Sequence, residues 1–234
     1  MIVDKVDCKT CTRTNCMIQK HCSNEWKTLI TEEKQDFIYG AEQSIFLEGQ
    51  KVQGIYIIYE GKVKIINTQG NKQESIIRLA TDGEILGHRG YGGPDNIYPI
   101  SAVALEETHV GFIPNEVFIR ALKENPEFCF SLLMFYAEEL KKSEVRTAKQ
   151  IYMPTLNRIA CSLQMTANTF GYRPGKEKLL AFTPSRTDIA KMTNTTYASL
   201  IRGLKELEAQ KIVTLVKKQI AISDEEKLKK LTEF

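Results

Sequence analysis

The chain has 234 residues, 42% of them hydrophobic and 26% charged, with a net charge of +3. That balance is globular, with room for one large domain or two modest ones. It holds no uncharged apolar run of about 18 residues, so no membrane contact is expected, and its start, MIVDKVD, lacks the basic leader and apolar core of a secretory signal, so a cytoplasmic location is expected.

Residues 1–24 are polar, without helical or strand period, and carry four of the six cysteines: Cys8, Cys11, Cys16 and Cys22. In a reducing compartment, thiols at this density are not expected to form structural disulfides. Four local thiolates can make a tetrahedral sulfur site suited to zinc or to an iron–sulfur cluster. Two other readings stay open: thiol-based redox sensing, and a loose tail of reduced thiols without a cofactor. Arg13, Lys20 and His21 lie close in sequence, which would favour thiolate over thiol. Cys129 and Cys161 sit in apolar helical stretches and are expected to be buried and inert.

EWKTLITEEKQDFIY, residues 25–39, predicts a short amphipathic helix with Trp26, Leu29, Ile30, Phe37 and Ile38 on its apolar side. From about residue 40 the pattern turns to strands: QSIFLEG, GIYIIYEGKVKII, KQESIIRLA and SAVALEETHVGFIP. Gly49, Gly54, Gly61, Gly70 and Gly83 punctuate them at near-regular spacing. Many short strands so spaced predict an antiparallel β-barrel or jelly roll. Within GHRGYGGPDNIYPIS, His88 and Arg89 could line a pocket for an effector such as a small anion or haem; the competing reading is structural.

Pro126 fits the first turn of a long helix, and no proline or glycine follows until after Tyr152. Phe128, Leu132, Phe135, Tyr136 and Leu140 form one apolar face, which Leu133, Met134 and Ala137 widen. A helix apolar nearly all round must be covered on two sides. The expected covers are the barrel and a second copy of the helix; the alternative is a core helix in a monomer. Pro154 breaks the pattern, and Leu156 to Thr169 predicts another amphipathic helix closed by Gly171.

The C-terminal part carries the clearest signal, in SRTDIAKMTNTTYASLIRGLKELEAQKIVTLVKKQIAIS. Ser185 and Asp188 resemble a capping box before a short helix, Arg186–Met192. A turn at Thr193-Asn194 leads to Thr195 or Thr196, either a good N-cap for a second helix with Leu200, Leu204 and Leu207 on one face. Two short β runs around Lys217-Lys218 complete a winged helix-turn-helix. Such a unit lays its second helix in the major groove of double-stranded DNA. Thr195, Thr196, Tyr197, Ser199, Arg202 and Lys205 are the candidate readers of that helix, Arg202 as a bidentate partner of guanine. Ser185, Arg186 and the wing lysines are candidates for phosphate contacts. The competing reading pairs Arg202 and Lys205 with Glu206 and Glu208 on the helix surface. Charge agrees with a polyanion partner: residues 151–234 hold 14 basic against 8 acidic residues, whereas residues 1–150 hold 18 against 21.

A glycine-punctuated barrel, a long helix and a winged helix-turn-helix, in that order, resemble the Crp/Fnr transcription regulators. SRTDIAKMTNTTYASLIRGLKELEAQKIV carries the resemblance most specifically, supported by EGKVKII and DGEILG. It implies an α+β chain in four parts: a cysteine-rich segment over 1–24, a cyclic-nucleotide-binding-like barrel over 25–126, a dimerisation helix over 127–153 and a DNA-binding domain over 154–234. It also implies a homodimer on a palindromic operator, switched by an effector, with RNA polymerase as a further partner. The rival classes are a metal-dependent cupin-type enzyme and a cyclic-nucleotide module without DNA binding. The enzyme would need clustered histidines, and the chain has only His21, His88 and His109.

The departures from the family pattern set further expectations. Cyclic-AMP-binding members carry a glutamate after the ILG-type glycine and a later Arg-Ser pair for the phosphate. Here Gly87 is followed by His88, and the pair reads Ile100-Ser101, which leaves Arg89 as the nearby cation. Cyclic AMP is therefore not expected as the effector, although Gly87, His88, Arg89, Ile100 and Ser101 remain the candidate pocket residues. The best-known members also read DNA with a glutamate where this chain has Ala198, so its operator should differ. Oxygen-sensing members hold a [4Fe–4S] cluster on three N-terminal cysteines spaced C-x2-C-x5-C and one barrel cysteine. Here Cys8, Cys11 and Cys16 give C-x2-C-x4-C, the barrel position is Gly111, and Cys22 is the local substitute.

Overall fold

The computed structural model describes residues 1–69, 73–92, 95–176 and 178–233; Gly70 lies outside them. The chain divides into two compact units, Met1–Lys72 with Ala80–Leu140, and Gln73–Leu79 with Lys141–Phe234.

The first unit begins with β1 (Ile2–Val3), α1 (Met17–His21), α2 (Asn24–Glu33) and β2 (Gln35–Tyr39). The segment expected as one helix over 25–39 thus divides. Ser23 caps α2 by accepting from Trp26 N at 3.3 Å, and Trp26 and Ile30 face the core. After Glu33 the chain extends, because Gln35–Tyr39 pairs along its whole length with a distant strand, and cross-strand partners outweigh local helical preference.

The strands β3 (Ser44–Phe46), β4 (Gly54–Glu60), β5 (Lys62–Gln69), β6 (Gln73–Thr81), β7 (Ile85–Leu86), β8 (Ser101–Ala104) and β9 (Thr108–Pro114) follow. They form two antiparallel sheets, in the orders β1-β2-β9-β4-β7 and β3-β8-β5-β6. In the first, Asp36 of β2 lies directly opposite Gly111 of β9. Then come α3 (Asn115–Glu124), which the sequence reading did not anticipate, and α4 (Pro126–Tyr152). α3 buries Val117, Phe118 and Ala121, and α4 buries Phe128 and Leu132. Phe128 is 1% exposed; burying such a side chain is worth about 1.5–3 kcal/mol.

Leu140 does not join the buried face of α4. It is 62% exposed, with Leu133 and Met134, while Phe135 and Tyr136 pack partly against the core. Cys129 is exposed on the outer side of α4, against expectation, and Cys161 is half-buried. The reason is rotational: Phe128 takes the inward position, so its chain neighbour points away.

The second unit contains α5 (Thr155–Phe170), α6 (Arg186–Met192), α7 (Tyr197–Ala209), β10 (Val213–Val216), β11 (Gln219–Ile222) and α8 (Glu225–Thr232). Leu200, Leu204 and Leu207 are fully buried with Ile159, Leu163 and Ile220. Gly203 lets α7 approach α5: a Cβ there would come 2.4 Å from Ile159 Cδ1. No described helix is long and apolar enough to cross a membrane.

Candidate functional site

The helix-turn-helix is held by its own caps. Ser185 Oγ accepts from Asp188 N at 3.0 Å and donates to Asp188 Oδ2 at 2.8 Å, which starts α6. Asn194 turns the chain at φ 48°, a left-handed conformation that asparagine tolerates. Of the two candidate N-caps of α7, Thr196 takes the role, accepting from Ser199 N at 3.2 Å. The leucine face is buried, so Thr196, Tyr197, Arg202 and Lys205 face outward, with Thr195 and Ser199 half-buried beside them. Arg202 donates to Ser199 Oγ at 3.2 Å, which orients its guanidinium along the N-terminal half of the helix. The glutamates are engaged elsewhere: Glu208 Oε1 accepts from Leu215 N and Glu206 Oε1 from Gln210 Nε2. Partial burial lowers the Arg186 pKa, but an arginine so shifted stays charged at neutral pH. Lys217, at φ 55°, and Lys218 are exposed at the wing tip between β10 and β11.

The candidate effector residues are committed to internal contacts. Gly87, at φ 81°, caps a single 3₁₀ turn at His88–Gly90. The buried His88 ring meets Phe135 and Tyr136 edge-on, at centroid distances of 5.1 and 5.4 Å. Arg89 pairs with Glu139 of α4 at 2.9 Å. Ile100 and Ser101 are buried, and Ser101 Oγ accepts from Glu48 N at 2.9 Å.

The cysteine segment is docked rather than loose. Cys8 N donates to Thr31 Oγ1 at 2.9 Å, Gln19 Nε2 to Cys11 O at 2.7 Å, and Arg13 to Asp82 at 2.9 Å. Arg13 also lies over the Tyr59 ring at 4.9 Å. At Gly83, φ 82°, a Cβ would come 2.9 Å from Cys16 N, so the segment rests directly on that turn. Cys16 and Cys22 are each 7% exposed and share an apolar cluster with Ile18, Trp26, Phe118, Phe128 and Leu132.

Cys8, Cys11 and Cys16 line one cavity of about 40 Å³ with Arg13, Asp36 and Gly111. Burial pushes the Cys8, Cys16 and Cys22 thiols up, Cys22 to about 12. The expectation that Arg13, Lys20 and His21 would favour thiolates is thereby corrected: Arg13 is bound to Asp82, and desolvation dominates. Pulling in the other direction are the Thr31 hydroxyl and Lys34 at Cys8, backbone hydrogen bonds at Cys16, and Lys27 at Cys22.

Two family models match the chain in sequence. The cyclic nucleotide-binding domain matches residues 37–125, and the Crp-like helix-turn-helix domain matches residues 157–231. The chain belongs to the Crp/Fnr family. The CRP-like cAMP-activated global transcriptional regulator of Mycobacterium tuberculosis is 22% identical over 85% of this chain and 88% of its own. Electron transport regulator A of Shewanella oneidensis is 24% identical over 95% of this chain and 89% of its own. The solved structure of FixK2 from Bradyrhizobium japonicum has a TM-score of 0.75 at 20% identity, covering 86% of this chain and 98% of that one. At that identity the likeness speaks for the fold. This Crp/Fnr chain is a DNA-binding transcription regulator.

The cysteines of this regulator can be tested against the two metal readings. Among the described residues, no three His, Cys, Asp or Glu side chains converge to hold one metal ion. A single zinc needs all its sulfurs about 2.3 Å from one point, which this arrangement does not offer. A [4Fe–4S] cluster instead takes one ligand at each iron, and the three thiols on this cavity are donors of that kind. The cavity as it stands holds about one water, less than such a cluster occupies. Sequence reasoning missed Lys34 and Asp36 of this cavity, because it placed residue 36 on a helix.

Proposed function

We propose that this chain acts as a homodimer on a palindromic operator, and that the cysteine segment, loaded with a [4Fe–4S] cluster, supplies the signal. The observation that supports the DNA reading most directly is the outward face of α7. Its cap fixes the start of the helix, its leucines fix the rotation, and Tyr197, Arg202 and Lys205 are left exposed with two wing lysines. In a major groove, Arg202 would donate to guanine O6 and N7, while the lysines and Arg186 hold phosphates.

The dimer reading rests on α4. Phe130, Leu133, Ala137 and Leu140 are exposed at spacings of three, four and three; Glu144 and Thr147 interrupt the repeat before exposed Ile151. An exposed apolar stripe with that repeat suits a two-helix seam.

The signal reading rests on packing within the first unit. Cys16 and Cys22 share one apolar cluster with Phe128 and Leu132, in the first turns of α4. Ser23 N also donates to Asn125 Oδ1 at 3.1 Å, beside the start of that helix. When bound, the cluster would be held by thiolates of this segment and would supply sensitivity to oxygen or nitric oxide. The raised Cys8 and Cys16 thiols would have to lose their protons to hold it. Such a change would bear on the packing of Cys16 against the first turns of α4. Cyclic AMP is not proposed as the effector: Arg89 is paired with Glu139 and no cation stands at Ile100.

The test is a binding titration on the DNA upstream of the chain's own gene, with protein purified without oxygen and then exposed to air. Sequence-selective binding that steepens as salt falls, and that changes on exposure to air, supports the reading. Binding that ignores sequence sinks the operator claim, and binding indifferent to air sinks the sensor claim. Tight calorimetric binding of cyclic AMP would overturn the effector claim.

A further inference from the structure

The turn between α6 and α7 is tied to the end of α4 by two side chains. The last carbonyls of a helix have no donor within it. In α6, Ala190 O is closed locally, by Thr195 N at 3.1 Å. Met192 O instead accepts from Gln150 Nε2 at 3.0 Å, and Thr193 O accepts from Arg158 Nε at 2.9 Å. Gln150 lies in the last turn of α4 and Arg158 in the first turn of α5. Arg158 also donates from Nη1 to Met153 O at 3.0 Å and reaches Thr155 Oγ1 at 3.4 Å. Met153 and Pro154 are the two residues between those helices, so one guanidinium spans both the break and the turn. Proline at such a break removes the N–H that would continue the helix, and leaves a joint that bends unless side chains hold it.

Gln150 sits at this joint against a cost. Its Oε1 is buried and meets no donor among the described residues, and an unpaired buried amide oxygen destabilises the fold. The contact its Nε2 makes with Met192 O accounts for a glutamine there. Its chain neighbour Ile151, about three helical turns on from Leu140, is exposed on the same side of α4. Adjacent residues in one turn therefore carry a position on the seam side of α4 and a tie to the helix-turn-helix.

We infer that Gln150 and Arg158 are positioning residues for operator binding: they fix the distance and rotation between the two α7 helices of a dimer, and so the half-site spacing the protein accepts. The inference rests on the homodimer reading proposed above. The path from seam to reading helix is short. It runs from Ile151 to Gln150, through the hydrogen bond to Met192 O, and over the Thr193-Asn194 turn to Thr196, the cap of α7. One base pair moves a half-site by about 3.4 Å and about 35°. A path held by hydrogen bonds discriminates between such steps, and a slack one does not. Two linked contacts gain avidity only when both can be made at once.

The experiment uses the full chain and DNA selected by it from a random pool. Wild type, Gln150→Met and Arg158→Lys are each taken through the selection. Fluorescence anisotropy then measures binding to the wild-type operator, to that operator with one base pair added at its centre, and to a single half-site. Gln150→Met removes the donor at similar length, and Arg158→Lys keeps the charge without the planar fork that serves two carbonyls. Wild type should select inverted half-sites at one spacing, and should lose about tenfold or more in affinity when the base pair is added. Both variants should select the same half-site at two or more spacings. They should bind the wild-type operator about tenfold less tightly, and the single half-site within about twofold of wild type.

Variants that keep one spacing overturn the inference. So does an equal loss on the operator and on the single half-site, which would mean that the two residues only support the fold of α7. A wild type that accepts the added base pair without loss overturns it as well, and needs no variant to fold. A wild type that selects single half-sites removes the homodimer reading itself, and is read from wild type alone.

Discussion

The two ends of this chain hold their chemistry in opposite ways. In the helix-turn-helix, each functional residue is placed by its near neighbours: Thr196 caps the helix that carries Tyr197 and Arg202, and Ser199, three residues before Arg202, orients it. In the cysteine segment, the arrangement depends on residues far away. Cys16 rests on Gly83, Arg13 reaches Asp82, and the cavity is closed by Asp36 and Gly111. A locally built site tolerates change elsewhere in the fold; a site built by packing is sensitive to it, which suits the sensing role proposed for this segment.

That contrast can be broken or sharpened by measurement. The largest effect is expected at the seam: Phe130→Glu with Leu133→Glu should give monomers by sedimentation and lower operator affinity by at least about a hundredfold, the avidity of two linked half-site contacts. Retained dimers would move the interface off α4. Next, Arg202→Ala should cost about 1–3 kcal/mol in fluorescence anisotropy on the specific operator and little on unrelated DNA. Equal losses on both would make Arg202 a phosphate contact.

Gly203→Leu should lower folding stability by about 1–3 kcal/mol in denaturant titrations, since the added atoms meet Ile159. Adding Ile159→Ala should return part of it; simple additivity would mean that α7 does not press on α5 there. Lys217→Ala with Lys218→Ala should weaken binding evenly across sequences and reduce the salt slope by about two. An unchanged slope would take the wing off the phosphates.

The smallest effect is a pH dependence of the metal-free protein. Unfolded Cys22 titrates near 9.0, and the folded thiol is pushed up to about 12 by burial and by Cys16. Above pH 9 the unfolded chain therefore binds fewer protons than the folded one, so stability is full below that pH and falls as pH rises through the window. Denaturation midpoints at pH 8 and 10 check the sign. At pH 8, alkylation should reach exposed Cys129 well before Cys22; equal rates would mean that the cysteine segment opens freely.

Much of the DNA-binding half was legible in advance. Leucines at spacings of four and three, capping residues before each helix and a lysine pair between two β runs are local signals, and Leu200, Leu204 and Leu207 are buried as that spacing requires. The errors fell where pairing partners are distant. Residues 35–39 looked helical beside a true helix, yet they form β2 because β9 is there to pair with them. Leu140 read as sharing one apolar face with Phe128 and Leu132, yet it is exposed with Leu133 while those two are buried. Cys22 read as the fourth thiol; it packs in one apolar cluster with Cys16 and Cys8.

The sequence by itself determined the order of barrel, long helix and winged helix-turn-helix, the reading face of α7, and the departure from the cyclic-AMP phosphate pair. Those features depend on period, caps and residue type, which act over a few positions. Only the tertiary structure decided that the cysteine segment is docked, that the Cys8, Cys16 and Cys22 thiols are raised, and that Asp36 stands across from Gly111. Burial and strand register arise from contacts between residues tens of positions apart, and no local pattern encodes which of them will meet.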